Sequence, residues 1–598
     1  MMKKITALLL AAVLALGLAA CGQPSETPMP TPSPEPEPSF WPTTYCLGAK
    51  PASLDPARYV ATDDATYLVN LYSGLVGYRR VGSDTVELQA DLCQTLPVPT
   101  VNEKGQPVYA FRLRDDLQWS DGTPLTAEDF VYSWKRAAAM EDADERYLFD
   151  CIDGFGTDEL NVSASEDGKT FTVVLAFSEP SFLKMCANPV FFPVQKKAVD
   201  SGDGWDLAAD RLATSGPFRA ERITESSMLL AKNERYWDAK SVTTDVLRFD
   251  FTKDPNEAVE GFASGRYVMV DTLPYDQLAR LQEDCGEDYH TAGKLGVYSL
   301  CFNLNDPALA GFTEPERVQL RRALCLLIDR RYICEEIAKA GQIPANAYVP
   351  DGITDADGAP FVLRNGPDGK GGGYFSTKPE DYAANCEEAL GLLRAVADSS
   401  KKYTVSKNGR CVDFPTLKIL TSDSFGHVDI ANYLRDVFGE YGIPVSISAP
   451  DLNTFLAERE KGEYSITRSS WTADYDDPML FLNLWSTSTN KIGLGWGTHA
   501  AYRGYSAEIG GEKRTELSWM ESYDGLLYSI AGSTDPRERY RMMHSAETLL
   551  MSTWAVCPLY LYTDVYLATP ALHGMYVGPT GAKYLLNVTT YDDAGNRT

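Results

Sequence analysis

The side chains that most often carry out catalysis are present in this chain, but their types and spacing form no catalytic or metal-binding pattern. No G-x-S-x-G or H-E-x-x-H motif occurs. Carboxylates are paired at Asp115-Asp116 and Asp476-Asp477, and in so acidic a chain these pairs indicate solvated turns. The five histidines are widely scattered: His290, His427, His499, His544 and His573. We therefore expect no enzymatic activity, and an exported hydrolase is the main rival class.

The cysteines also argue against a metal centre. Eleven of the twelve follow Cys21, and none of them forms a C-x-x-C pair. Their spacing matches neither a zinc site nor a small disulfide scaffold. We expect several free thiols, no metal and no cofactor.

The amino terminus has the composition of an export signal. Lys3 and Lys4 precede an uncharged apolar run from Ile5 to Ala20, which is shorter than the about 20 apolar residues that span a membrane comfortably. The sequence Leu-Ala-Ala before Cys21 resembles a bacterial lipobox, in which the thiol receives a diacylglyceryl group. We expect a lipoprotein signal peptide at 1–20, followed by a lipid anchor that needs two acyl chains to hold firmly.

The segment that follows Cys21 is expected to be a tether. Seven prolines lie between Gly22 and Ser39, among Ser, Thr and Glu and with almost no apolar residues. Such a composition cannot bury a core and favours an extended chain. We assign 21–40 to the anchor and tether, and ordered sequence begins near Phe40-Trp41.

The remaining residues are too many for one hydrophobic core, because single cores stop growing at about 250–300 residues. Two or three domains are therefore expected. The formal charge of −28 argues against nucleic acid and against electrostatic docking on anionic lipid. We expect a monomer whose acidic surface faces outward from the cell.

Periodicity predicts strands and helices without a strict repeat, so the class is α/β or α+β in several lobes. Thr126 and Asp129 have the spacing of a capping box before a helix, and Asp329 is expected to break the helical stretch 315–340. The Gly- and Asp-rich stretch 351–374 predicts a surface loop. Strands are predicted at 44–48, 109–114, 171–176 and 246–251, and further helices at 130–139, 429–441 and 538–551.

The run YAFRLRDDLQWSDGTPLTAEDFVYSW at 109–134 resembles the signature of solute-binding protein family 5, the oligopeptide-binding proteins of ABC importers. Most of its residues are structural turns and core. Further landmarks follow in the family's order over about 44–570: Ser53-Leu54-Asp55-Pro56, Gly216-Pro217-Phe218, Asn233 to Trp237, Arg317 to Arg330, Asp535 to Leu550 and Pro558-Leu559-Tyr560.

The resemblance implies a periplasmic-binding-protein-like fold of type II, large class. It has two lobes joined by a hinge of two crossing strands, and an extra subdomain packs on the first lobe. By this resemblance lobe I gathers 41–73, 206–299 and 564–598. The subdomain is 74–205, and lobe II is 300–563.

The resemblance also implies an anchor for a peptide's α-ammonium. Oligopeptide receptors carry a Trp-x-Ala-Asp-Tyr sequence whose aspartate pairs with that ammonium, and the matching positions are Trp471, Ala473, Asp474 and Tyr475. A ligand enclosed between lobes loses its water, so its charge needs an opposite charge with good hydrogen bonds. The residues alone also allow a surface carboxylate before a turn at Pro478.

The resemblance also implies which residues contact the terminal carboxylate and the main chain of the peptide. The family positions that contact the carboxyl-terminal half of the peptide correspond to, or lie near, Arg468, Arg459 and His427. A guanidinium suits a carboxylate because its planar fork donates two parallel hydrogen bonds. Each could instead be a structural charge. The stretch Val60-Ala61-Thr62 falls where family members offer backbone groups to the ligand by strand addition.

We therefore expect an extracytoplasmic lipoprotein that captures short peptides and delivers them to the permease and ATPase subunits of an ABC importer. Two alternatives keep the fold. One is a different solute, such as a metal chelate, haem or an oligosaccharide. The other is a lipoprotein that senses peptides without feeding an importer.

Replacing Cys21 by Ser tests the predicted anchor, because the hydroxyl cannot take the thioether-linked lipid. We expect Cys21→Ser to release the protein into the medium or to leave an uncleaved precursor. Cell fractionation shows where the variant is located, and its mass shows whether the signal peptide has been cleaved. A Cys21→Ser protein that stays on membranes in mature form would show that Cys21 is not the anchor.

Overall fold

The computed structural model describes residues 44–59, 62–82, 85–157, 159–424, 426–487 and 502–590. The predicted signal peptide, Cys21 and the tether lie outside these residues, as do Val60 and Ala61. No helix in the described ranges has the length and apolar content that a membrane crossing needs.

The largest sheet has eleven strands. In spatial order they are Val445–Ser448, Leu417–Leu420, Ile466–Thr472, Tyr289–Phe302, Val556–Ala568, Met269–Val270, Thr44–Cys46, Val246–Asp250, Ser227–Lys232 and Phe218–Ile223, with Ile343–Pro344 pairing beside Val556–Ala568. A separate sheet contains Thr100–Val101, Pro107–Arg112, Thr170–Val174 and Val162–Ala164 in that order. Hairpins are formed by Val76–Val81 with Thr85–Ala90, Thr404–Val405 with Cys411–Val412, Tyr505–Ile509 with Glu512–Leu517, Leu572–His573 with Thr589–Thr590, and Tyr576–Val577 with Lys583–Tyr584.

Helices cover the faces of these sheets. The longer α-helices are Thr62–Leu71, Ala127–Ala139, Pro255–Ala263, Leu278–Cys285, Glu314–Leu326, Tyr382–Ser400, His427–Glu440, Leu452–Lys461, Trp519–Gly532 and Pro536–Ser552. Short helical turns include Asp144–Phe149, Phe182–Met185, Lys196–Val199, Arg330–Tyr332, the π-helical Ile333–Ala338 and Met479–Leu482.

Several helix ends form where the sequence predicts them. The backbone N–H of Thr126 donates to the Asp129 carboxylate at 2.8 Å, which completes the predicted capping box. The helix Glu314–Leu326 ends three residues before Asp329, which begins the next helical turn by accepting from the backbone of Arg331 and Tyr332, at 3.0 and 3.2 Å. The loop predicted at 351–374 contains only one short 3-10 turn, Phe361–Arg364. These are local effects, since the capping oxygens lie within three residues of the amides they satisfy.

Two long antiparallel strands, Tyr289–Phe302 and Val556–Ala568, connect two large hydrophobic cores. One core includes Leu300 and Leu324, and the other includes Phe111. The pairing is interrupted by two register shifts, one between Gly293 and Val297 and one between Tyr298 and Ser299. The family resemblance predicts a hinge of two crossing strands. The hinge and the lobe boundaries that the same resemblance implies stay predictions.

A buried charge cluster ties one end of these long strands to the carboxyl-terminal segment. Lys583 is 1% exposed, and its ammonium lies 2.6 Å from Asp271 and 2.8 Å from Asp564. Lys294 approaches Asp564 at 3.0 Å. Because an unpaired charge in the interior is costly, removing one of these buried charges leaves its partners destabilised.

We expect Lys583→Ala to lower the free energy of unfolding by about 3–5 kcal/mol, because it leaves two buried carboxylates short of a cation. Urea unfolding followed by circular dichroism measures this. Lys240→Ala, at an exposed position, is the matched control and should change stability little. If both variants unfold at the same urea concentration as the native protein, the buried cluster does not stabilise the fold.

Candidate functional site

The strand Ile466–Thr472 presents alternate residues to opposite sides. Thr467 and Ser469 are buried, whereas Arg468 is half-buried and Ser470 is exposed. This is the period of two expected of a strand with one buried face. Asp474 follows two residues after the strand ends, so its Cα lies at most about 20 Å from that of Arg468, at about 3.3 Å per residue.

Asp474 lies where the two cores meet. Ala473 belongs to the core that contains Leu300, and Tyr475 packs in the core that contains Phe111. The Ala473 amide donates to the Leu295 carbonyl at 2.6 Å, which ties this segment to the long strand. The two buried neighbours therefore hold the Asp474 carboxylate at a fixed place between the halves.

The Asp474 carboxylate accepts a hydrogen bond from the Tyr147 hydroxyl. The Asn188 amide donates to the Asp474 carbonyl at 3.5 Å and accepts from the Tyr59 hydroxyl at 3.0 Å. Burial raises the pKa of Asp474, opposed by the bond from Tyr147. Within the described residues no cation lies at ion-pair distance from Asp474, so this end of the site is negative and unneutralised.

Glu145 adds a second carboxylate beside Asp474. It lies in the short helix Asp144–Phe149 with Tyr147, and its Oε2 atom is buried without a hydrogen-bond partner. Burial, followed by the charges of Asp474 and Asp144, raises the pKa of Glu145 to about 8. Sequence reasoning missed Glu145, Tyr147 and Asn188, because nothing local to them indicates that Asp474 is near.

The arginines predicted for the ligand carboxylate lie together. The Arg468 guanidinium donates to Ser422 at 2.9 Å and lies 4.7 Å above the Phe455 ring, and Arg459 lies 5.4 Å above the same ring. Burial, with a smaller contribution from Arg468, lowers the pKa of Arg459. Across the described ranges neither guanidinium has a carboxylate partner, and the Arg468 Nε is buried without an acceptor. This end of the site is positive.

His427 begins the helix His427–Glu440 and lies beside the arginines. Its ring stacks on Tyr298 at 5.5 Å, with Nδ1 3.3 Å from the tyrosine hydroxyl. Burial and then the positive charge of Arg468 lower the pKa of His427 to about 4. The ring is therefore neutral at pH 7 and can still donate one N–H.

Two cavities flank these residues. One of about 390 Å³ is lined by Tyr147, Trp471 and Tyr475, and the Trp471 indole N–H is buried there without a hydrogen-bond partner. The other, of about 580 Å³, is lined by His427, Tyr560 and residues of 275–279 and 336–342. Thr62 begins the helix Thr62–Leu71.

One prediction from the acid pairs is wrong. Asp115 and Asp116 are exposed as expected, but Asp476 and Asp477 are 5% and 1% exposed and are not in a solvated turn. Asp476 pairs with Lys184 at 2.9 Å, and Asp477 pairs with Arg539 at 2.9 Å and accepts from the Ser181 hydroxyl. The partners come from distant parts of the chain, so the local sequence gives no sign of this burial. Among the described residues, no group of three His, Cys, Asp or Glu could hold a metal ion.

Comparison with known proteins identifies relatives of this arrangement. The sequence profile described as "Bacterial extracellular solute-binding proteins, family 5 Middle" matches residues 99–493. The periplasmic murein peptide-binding protein MppA of Escherichia coli (strain K12) is 26% identical over 88% of each chain. The periplasmic oligopeptide-binding protein OppA of Salmonella typhimurium is 27% identical over 89% of each chain.

A solved structure of the periplasmic murein tripeptide-binding protein MppA in its unliganded open form superposes with a TM-score of 0.69 at 25% identity. The alignment covers 89% of this chain and 93% of that one. This likeness and the mixed α/β topology confirm the two-lobed, periplasmic-binding-protein-like fold predicted from the sequence.

The neutral state of His427 can be measured directly. Because burial lowers its pKa, the unfolded chain binds the proton more readily, and this group reduces stability as the pH falls from about 6.5 through about 4. We expect the His427 ring signals of the free protein to titrate near pH 4 in NMR spectra, with the signals assigned from a His427→Gln variant. A titration midpoint near 6.5 would show that the ring is solvated in the free protein.

Proposed function

Because the chain belongs to the bacterial extracellular solute-binding proteins of family 5, which are binding proteins and not enzymes, we propose that it captures short peptides and delivers them to the permease of an ABC importer. The absence of enzymatic activity predicted from the sequence agrees with this family. The names of the relatives support peptide as the cargo, since they include murein peptide-binding and oligopeptide-binding proteins.

The observation that carries the proposal is the separation of charge along one strand. Asp474 follows the end of Ile466–Thr472, and Arg468 lies near the start of this strand with Arg459 beside it. Among the described residues, Asp474 has no cation at ion-pair distance and neither arginine has a carboxylate partner. A peptide with free termini is a dipolar ion whose charges complement this pattern. At about 3.3 Å per residue, an extended peptide of up to about six residues spans the distance.

The backbone of the same strand can contribute further affinity. Ile466–Thr472 pairs along its length with Tyr289–Phe302, but on its other side only Ile466 and Thr467 pair, with Leu417–Leu420. No strand within the described ranges pairs with 468–472 on that side. An extended ligand could add there as a strand, and main-chain bonds of this kind are indifferent to side chains.

Closure of the two lobes is part of the proposal. Tyr147 lies in the predicted subdomain, 74–205, and Asp474 lies in the predicted lobe II, 300–563, so their hydrogen bond crosses between the two. A ligand ammonium bound at Asp474 would meet both sides. We propose that Tyr289–Phe302 and Val556–Ala568 act as the hinge, and that closure excludes water around the ligand charges.

The family is extracytoplasmic, and within that compartment we propose a lipid anchor at Cys21 and a monomeric protein. A peptide receptor that feeds a permease must stay near the membrane, and the Pro-rich segment 21–40 is long enough to hold the folded body close to it. Both the anchor and the tether rest on sequence alone.

Asp474→Asn tests the anchor for the ammonium. Removing one partner of a buried ion pair costs about 3–5 kcal/mol, so we expect peptide affinity to fall by about two to three decades. Isothermal titration calorimetry with a pool of tri- to hexapeptides measures this. The same peptides with an acetylated amino terminus should not bind the native protein, and acetylation should cost the variant little more.

The control is Asp398→Asn, which removes a carboxylate from an exposed position on the helix Tyr382–Ser400. It should bind as the native protein does. Equal affinity of the native protein for acetylated and free peptides would show that Asp474 does not bind the ammonium.

A further inference from the structure

The amino-terminal end of the proposed site holds two carboxyl groups, and one ligand ammonium bound at Asp474 pairs with only one of them. Asp474 and Glu145 both lie around Tyr147, whose hydroxyl is already donated to Asp474. The Glu145 Oε2 atom is fully buried and accepts no hydrogen bond. Native proteins rarely bury a carboxylate oxygen without a partner, because the unmet desolvation cost is large.

Four basic residues from segments that contribute to this end have other partners. Arg58 pairs with Asp142 at 3.0 Å, and Arg136 pairs with Asp55. The Arg146 guanidinium donates to the Ala138 carbonyl at 2.7 Å and stacks on Phe155. Lys184 is held by Asp476. In the part of the chain that the structure describes, no cation is within ion-pair distance of Glu145.

The charge balance therefore differs between ligands. An ammonium bound to Asp474 satisfies one carboxylate, and Glu145 must then keep a proton or stay buried as an unpaired anion. Its raised pKa, caused by burial and by Asp474, favours the proton at neutral pH. A ligand that brings a second cation removes this penalty and gains a charge-assisted hydrogen bond.

We propose that Glu145 selects peptides that carry a second positive charge at their amino-terminal end, such as the side chain of a first-residue lysine, arginine or other diamino acid. This inference rests on the proposed function, since it requires the ligand ammonium to bind at Asp474. Glu145 then acts as a specificity residue, and the general affinity for peptides comes from Asp474 and the arginines.

Two tripeptides of matched length test the inference by calorimetry at pH 7: Lys-Ala-Ala and norleucine-Ala-Ala, which lacks only the side-chain charge. Charge-assisted hydrogen bonds contribute about 1.5–3 kcal/mol, so the native protein should bind the lysine peptide at least about tenfold more tightly. Glu145→Gln should bind both peptides with the affinity that the native protein has for the norleucine peptide. Asp144→Asn, which removes an exposed charge from the same short helix, should keep most of the preference.

Failure of the inference and failure of the proposed function give different results. If the native protein binds both peptides equally and acetylation still abolishes binding, Glu145 does not select cations and the peptide anchor stands. If neither peptide binds, or acetylation has no effect, the proposed function itself is wrong. A Glu145→Gln protein that keeps the native preference would also overturn the inference. The native comparison of the two peptides decides the question even if the variant does not fold.

Discussion

The backbone pairing of Tyr289–Phe302 with Val556–Ala568 is the constraint on which the rest of the structure depends. These two strands are the only members of the large sheet, within the described residues, that extend from one hydrophobic core to the other. Val556–Ala568 pairs with Ile343–Pro344 in its middle and with Met269–Val270 at its end, whereas Tyr289–Phe302 pairs with Ile466–Thr472 over its second half. A site placed beside them, as Asp474 is, contacts both halves. The register shifts between Gly293 and Val297 and between Tyr298 and Ser299 are local interruptions of this ladder.

Three aspartates within four residues illustrate how packing assigns different roles to one residue type. Asp477 is buried against Arg539, and although burial opposes ionisation, the guanidinium holds the pKa of Asp477 below its usual range. Asp476 is held by Lys184. Among the described residues the Asp474 carboxylate accepts from the Tyr147 hydroxyl and has no cation at ion-pair distance, and burial raises its pKa. The first two stabilise the contact between distant segments, whereas the third is the aspartate that we propose binds a ligand ammonium.

The two ends of the proposed site differ in what surrounds the charged groups that have no ion-pair partner among the described residues. At the positive end, Arg468 and Arg459 lie over one aromatic ring, which attracts cations. At the negative end, within the described residues, no cation lies at ion-pair distance from Glu145, and burial and the charge of Asp474 raise its pKa to about 8, which favours a bound proton.

The sequence by itself determined the family, the mixed α/β class and the residues at which several helices begin or end. Thr126, Asp129 and Asp329 act on amides within three residues, so their effect can be predicted without a fold. It also indicated Asp474, Arg468, Arg459 and His427 as candidates, although their roles stay predictions. Only the tertiary structure decided what surrounds them. Tyr147 lies 327 residues from Asp474 in the chain, and Lys184 lies 292 residues from Asp476. Burial and charge balance depend on segments brought together by packing, and no pattern of neighbouring residues encodes them.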